Sequence, residues 1–253
     1  MIRSKLDVRA ADGVMDVYLH RPEGRADEAP APTVIMFPDA GGVRPAMHEM
    51  AARLASHGYL VALPNVLYRA GAFAPFDFKT VFTDPVERAR LGGIMKQADL
   101  VSVMRDTEAL LDALARDPDA RAAQVGCVGY CMGGRMAFAA AGAHPTRIAA
   151  AASIHGGNLA NDDPASPHLQ AGKIRARLYF GVADKDQSCT PEAQARLKAA
   201  LDEAKVRYQL ELYPGAMHSF AVSDSPVYDE AAAERQWERV LALFAETLEG
   251  PRA

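Results

Sequence analysis

Cysteine is scarce in this chain: three occur in 253 residues, and none sits in a Cys-x-x-Cys pair or in a His/Cys cluster with metal-ligand spacing. An odd and sparse count argues against a disulfide framework, and the spacing argues against a zinc site. Charge of one sign is lacking too, with Lys+Arg 28 against Asp+Glu 32 and a formal net charge of -4. That balance, without a long basic run, argues against nucleic acid or an anionic membrane as the main partner. No apolar run approaches the roughly 18 residues of a membrane span. The start, Met1-Ile2-Arg3-Ser4-Lys5-Leu6-Asp7, carries charge with no apolar stretch of a leader. The expectation is a soluble, cytoplasmic protein with no metal, cofactor or membrane partner. Internal repeats and low-complexity tracts are also missing.

What is present is enough apolar material for a sizeable core, 49% of residues, and a length that suits a single domain over 1–253. The most informative stretch is Val125-Gly126-Cys127-Val128-Gly129-Tyr130-Cys131-Met132-Gly133-Gly134, followed by Arg135-Met136-Ala137-Phe138-Ala139-Ala140-Ala141. A short apolar run breaks at Gly-x-Cys-x-Gly-Gly and passes straight into an Ala-rich helical segment. Strand, sharp turn and helix in that order make a nucleophile elbow, which lifts one side chain above a sheet on a strained backbone. Here the lifted residue is Cys131. Cys127 reads as a small core residue in the preceding strand, and Cys189 as a thiol in a polar loop.

Along the chain, Lys5 to Arg9 and Val14 to His20 alternate about Ala11-Asp12-Gly13, which predicts an antiparallel hairpin at a sheet edge. Arg21 to Pro32 reads as a surface loop. Thr33 to Phe37 is a continuous apolar run, expected of a strand covered on both faces. Further strands are expected at Tyr59–Leu63, Ile148–Ile154, Arg177–Gly181 and Tyr208–Tyr213. Helices are expected at Pro45–His57, Asp84–Leu91, Gln97–Ala115, Pro191–Ala204 and Asp229–Leu248. Strands alternating with helices predict an α/β fold with a mostly parallel sheet covered on both faces.

A cysteine nucleophile needs a base, and the base needs a group that holds its tautomer. His218 follows the last predicted strand, while Asp184 and Asp186 follow the strand before it. The carboxyl ends of parallel strands are where open α/β sheets bind ligands. Nucleophile, acid and histidine thus occur in α/β-hydrolase order, with either aspartate able to serve. His155 ends a strand on the same edge and is the rival base; His20, His48, His57, His144 and His168 lie in segments with no matching context.

Together, Gly129-Tyr130-Cys131-Met132-Gly133-Gly134, Gly181-Val182-Ala183-Asp184-Lys185-Asp186 and Gly215-Ala216-Met217-His218-Ser219-Phe220 resemble the dienelactone hydrolase family over nearly the whole chain. The resemblance implies an α/β-hydrolase fold and a Cys131, His218, Asp186 triad acting on a small ester or lactone. Asp186 is favoured over Asp184 because Asp186-Gln187-Ser188-Cys189-Thr190-Pro191 fits the spacing of the family's acid loop. It also implies an oxyanion hole from the backbone amides of Ala40 and Met132. Asp39 stands where the family carries an acidic residue, commonly Glu, that meets the nucleophile. Arg69 matches one of two arginines that hold a substrate carboxylate, and Val222 stands where the second is expected. Tyr68, Phe73, Phe76, Phe78 and Phe82 are candidates for the walls of an apolar pocket.

Two other functions compete with a dienelactone hydrolase. A general carboxylesterase or thioesterase keeps the triad and loses the carboxylate clamp, as Val222 suggests. A thiol sensor or binding protein keeps only an oxidisable Cys131, and has no need of Asp186 and His218 in hydrolase order. A monomer is expected.

Overall fold

The computed structural model describes residues 2–22 and 29–248. Half of the Arg21 to Pro32 loop expected from sequence, residues 23–28, lies outside the described residues, and its two ends belong to strands at Arg21 and at Ala31 and Pro32.

Eight strands form one sheet in the order β1-β2-β4-β3-β5-β6-β7-β8. They are β1 Ile2–Ala10, β2 Gly13–Arg21, β3 Ala31–Phe37, β4 Leu60–Pro64, β5 Ala120–Tyr130, β6 Ile148–Ile154, β7 Arg177–Lys185 and β8 Tyr208–Met217. The hairpin β1–β2 is antiparallel with Ala10 opposite Gly13, and β2 runs antiparallel to β4. From β4 to β8 every pairing is parallel. Only β1 is therefore an edge strand of that hairpin; β2 joins it to the parallel region.

Among the described residues the six α-helices are α1 Pro45–Ser56, α2 Pro85–Met95, α3 Leu100–Leu114, α4 Met132–Ala143, α5 Pro191–Glu203 and α6 Glu230–Leu248. Buried side chains of α1 and α6 pack in one cluster, and those of α2 to α5 in another. A sheet covered on both faces explains why all seven residues of β3 are buried. In α6, Trp237, Val240 and Phe244 recur at helical spacing and are buried, each contributing about 1.5–3 kcal/mol of apolar burial. Local signals set the helix starts: Asp84 accepts from the N–H groups of Val86 and Glu87 at α2, and Asp99 from Ser102 at α3.

Every strand except β4 and β6 runs longer than its sequence pattern indicates. β5 begins at Ala120 because Ala120 and Arg121 pair with Ala31 and Pro32. β7 and β8 continue past a register shift to a Lys185–Met217 pair. Pro214-Gly215 conceals that continuation in the sequence, since both residues ordinarily mark a turn. The extension carries Asp184 inside β7 and leaves Asp186 and His218 as the first residues beyond the two strand ends.

Candidate active site

Cys131 lies between β5 and α4 with φ 54° and ψ -116°. A non-glycine residue in that region costs on the order of 1–3 kcal/mol and persists only when its surroundings hold it. The restraints are visible. The Cys131 N–H donates to the carbonyl of Ile154 and to Nδ1 of His155, each at 3.1 Å. The Cys131 carbonyl accepts from the N–H of Gly134 at 3.0 Å. The flanking glycines answer a close approach: a Cβ on Gly129 would overlap the Gly133 carbonyl, and one on Gly133 would overlap the Phe37 carbonyl.

Opposite the elbow, His218 Nε2 lies 3.0 Å from Cys131 Sγ and Nδ1 lies 2.7 Å from Asp186 Oδ2. The Asp186 side chain is only 2% exposed, whereas that of His218 is 31% exposed. The other carboxylate oxygen of Asp186 accepts from the N–H and the hydroxyl of Ser188, at 2.8 and 2.6 Å. Burial alone would raise the Asp186 carboxyl, but hydrogen bonds from His218 and Ser188 hold it below the ordinary range. For His218 burial pulls downward, and the bonds to Asp186 and Cys131 outweigh it, raising its pKa to about 10. Asp184 takes no part in this chain of bonds; it is exposed and accepts from the N–H of Gly215 at 3.0 Å.

His155, the rival base, does not bond the sulfur. Its Nδ1 is taken by the Cys131 amide, and its buried ring packs edge-on against His218 with centroids 5.3 Å apart. Ala40 and Met132 carry backbone N–H groups that make no hydrogen bond outside helix and strand ladders among the described residues. Met132 opens α4 and has no partner within the helix. Cys127 is buried, as expected of a core residue, and burial pushes its thiol up. Cys189 is a free thiol in a loop, as expected, and the loop turns it inward to 3% exposure, where burial with Asp186 nearby pushes it up to about 12.

Among the described residues the Asp39 carboxylate bonds Arg44 and the N–H of Gly41, not Cys131. Arg44, at the N-terminus of α1, donates to its two oxygens at 2.6 and 2.9 Å and to those of Asp224 at 2.7 and 2.8 Å. The guanidinium also lies 4.6 Å from the Phe78 ring centroid. Asp39, with one methylene fewer than Glu, finds its partner in this arginine, which the sequence reading missed. Asp39, Arg44, Asp224 and His218 line a cavity of about 450 Å³ whose apolar walls include Phe78, Phe82, Met217 and Val227.

Arg69 and Tyr68 fall outside that cavity. Arg69 donates to both oxygens of Asp106 at 2.8 and 3.0 Å and to Asp12 at 2.9 and 2.8 Å, while the Tyr68 hydroxyl donates to Asp106 at 3.2 Å. Both side chains are spent on the hairpin turn and α3. Phe73 and Phe76 pack on each other and on the core instead of lining the cavity, and Val222 is fully buried.

Among the described residues no group of three or more His, Cys, Asp or Glu could hold a metal ion. No helix there is long and apolar enough to cross a membrane.

The profile of the dienelactone hydrolase family matches residues 15–248. The chain belongs to that family. It is a hydrolase acting on ester bonds, built on the α/β-hydrolase fold. A carboxymethylenebutenolidase of Rhodococcus opacus is 26% identical over 230 residues, covering 90% of this chain and 84% of its own. A solved structure from Klebsiella pneumoniae subsp. pneumoniae, carrying the family's name, superposes with a TM-score of 0.83 at 25% identity and covers 97% and 98% of the two chains. A dienelactone hydrolase-like promiscuous phosphotriesterase from metagenomic libraries superposes with a TM-score of 0.77 at 25% identity, covering 98% and 99%.

Proposed function

We propose that this hydrolase cleaves small carboxylic esters or lactones through a thioester on Cys131, with His218 as base and acid and Asp186 orienting it. The observation that carries the reading is His218 itself, joined through Nε2 to Sγ at 3.0 Å and through Nδ1 to Asp186 at 2.7 Å. An imidazole with a raised proton affinity and one nitrogen already committed takes the thiol proton on the other. Sγ then bonds to the substrate carbonyl carbon, and the oxyanion accepts from the amides of Ala40 and Met132. As the tetrahedral species collapses, His218 returns the proton to the leaving alkoxide. Water, deprotonated by the same nitrogen, attacks the thioester, and the Cys131 sulfur leaves as the carboxylic acid forms.

One observation favours a second reading, a general carboxylesterase or thioesterase without dienelactone activity. Arg69 is fully engaged by Asp106 and Asp12, and Val222 supplies no second cation. A missing charged hydrogen bond to a substrate carboxylate costs roughly 1.5–3 kcal/mol. Steady-state hydrolysis of a dienelactone beside p-nitrophenyl acetate, by wild type and Cys131→Ala, separates the two. The first reading expects the lactone to be preferred and the variant inactive on both. Cleavage of the simple ester alone, still through Cys131, favours the second; a variant as active as wild type removes the nucleophile from both.

A further inference from the structure

We infer that His155 is a positioning residue of this reaction: as a neutral acceptor behind the nucleophile, it holds the Cys131 backbone in its raised conformation and packs the ring of His218 in place. The inference rests on the reading of Cys131 as nucleophile and His218 as its base. His155 is 1% exposed, follows the last residue of β6, and itself has a positive φ of 38°. Its own N–H donates to the carbonyl of Gly181 on β7 at 2.7 Å, which ties the strained residue to the next strand.

The bond to Cys131 settles the tautomer. Nδ1 accepts from an amide N–H, so the ring proton of the neutral imidazole sits on Nε2. That Nε2 is buried without a hydrogen-bond partner among the described residues, so none of them bonds the ring on that side to compete for it or to help charge it. The groups facing the ring are Cys131 and Tyr130 from β5 and the elbow, and His218 and Phe220 from the segment after β8. Asp186 acts on it only at longer range. Burial, reinforced by His218, holds its proton affinity well down. Two imidazoles in edge contact cannot both carry charge cheaply, and Asp186 decides which one does. His155 stays neutral, so the positive charge of the reaction resides on His218 alone.

His155→Leu removes one of the two acceptors of the Cys131 N–H and leaves the Ile154 carbonyl, while His155→Asn returns an acceptor oxygen to the atom position of Nδ1 without a titrating group. Hydrolysis of p-nitrophenyl acetate is followed with kcat taken per site titrated in the acyl burst, so an unfolded fraction does not enter. The expected result is about a tenfold fall in kcat for His155→Leu with KM little changed, the scale of one lost hydrogen bond, and recovery of most of that loss in His155→Asn. The pH midpoint for alkylation of Cys131 by iodoacetamide should stay the same in both variants, because His155 contributes no charge.

Equal losses in the two variants, undiminished kcat in a folded His155→Leu, or a shifted midpoint would each overturn the inference. Should His155→Leu fail to fold, His155→Asn decides: kcat near wild type with an unmoved midpoint supports the assignment, and a loss beyond tenfold contradicts it. Cys131→Ala, run alongside, keeps the two readings apart. Hydrolysis that survives in Cys131→Ala removes the parent mechanism, whereas Cys131-dependent hydrolysis indifferent to His155 removes only this one.

Discussion

Two pairs of histidines lie in this molecule with ring centroids 5.3 Å apart in each, and they have opposite chemistry. His20 on β2 and His48 on α1 contact each other through Nε2 and Nδ1 at 3.1 Å. Burial, His48 and Arg3 drive His20 down to about 4, and burial with Arg3 lowers His48 too. In the other pair His155 is likewise held neutral, but His218 is raised to about 10. The difference is one carboxylate: Asp186 touches His218, and among the described residues no carboxylate touches His20 or His48. Burying a histidine makes it a poor base; pairing it with a buried, hydrogen-bonded aspartate that leaves one nitrogen free makes it a strong one.

Removing that carboxylate should erase the contrast. Asp186→Asn is expected to lower kcat by roughly a hundredfold to ten-thousandfold, and to move the His218 pKa from about 10 toward the ordinary histidine value of 6.5. The pH dependence of Cys131 alkylation reads that shift. The same linkage has a stability sign. A histidine raised on folding contributes stability that is complete below pH 6.5 and is lost as pH climbs through about 10, so wild type should lose more stability than Asp186→Asn over that window in urea titrations.

Arg44 tests whether charge balance near the site is structural. Its side chain is 13% exposed and that of Asp39 7%. Arg44→Met leaves Asp39 uncompensated and should cost about 3 kcal/mol, the scale of breaking a buried pair from one side, measured by urea denaturation. The His20–His48 pair gives the smallest effect. A histidine lowered on folding contributes stability that is present above pH 6.5 and lost as pH falls toward about 4. His20→Phe should flatten that acid limb by on the order of 2 kcal/mol, with no change in activity at neutral pH.

The contrast between the pairs also separates what the sequence could and could not reveal. The elbow was legible because a close strand–helix approach demands glycine at Gly129 and Gly133, and that demand is written locally. His218 and Asp186 were legible as residues following strands, although Pro214-Gly215 hid the last turn of the β7–β8 ladder that brings them level. The Arg44–Asp224 pair was not, because its members stand 180 positions apart and meet only through the packing of α1 against the segment after β8. Arg69 matched a family position in sequence, yet Asp12 and Asp106 claim its guanidinium, and neither partner neighbours it along the chain. His155 was visible as a histidine at a strand end. That its acceptor nitrogen faces a backbone amide, and not the sulfur, depends on the positive φ of two residues that follow the ends of different strands, Cys131 after β5 and His155 after β6.

The most direct test of the account is intact-mass spectrometry of the enzyme quenched rapidly during turnover of p-nitrophenyl acetate, with the modified residue located by peptide mapping under mildly acidic conditions. One added acetyl group per chain is expected, carried by Cys131, lost on treatment with hydroxylamine and absent from Cys131→Ala. An acetyl group on any other residue, or a burst of nitrophenol with no covalent adduct, would contradict it.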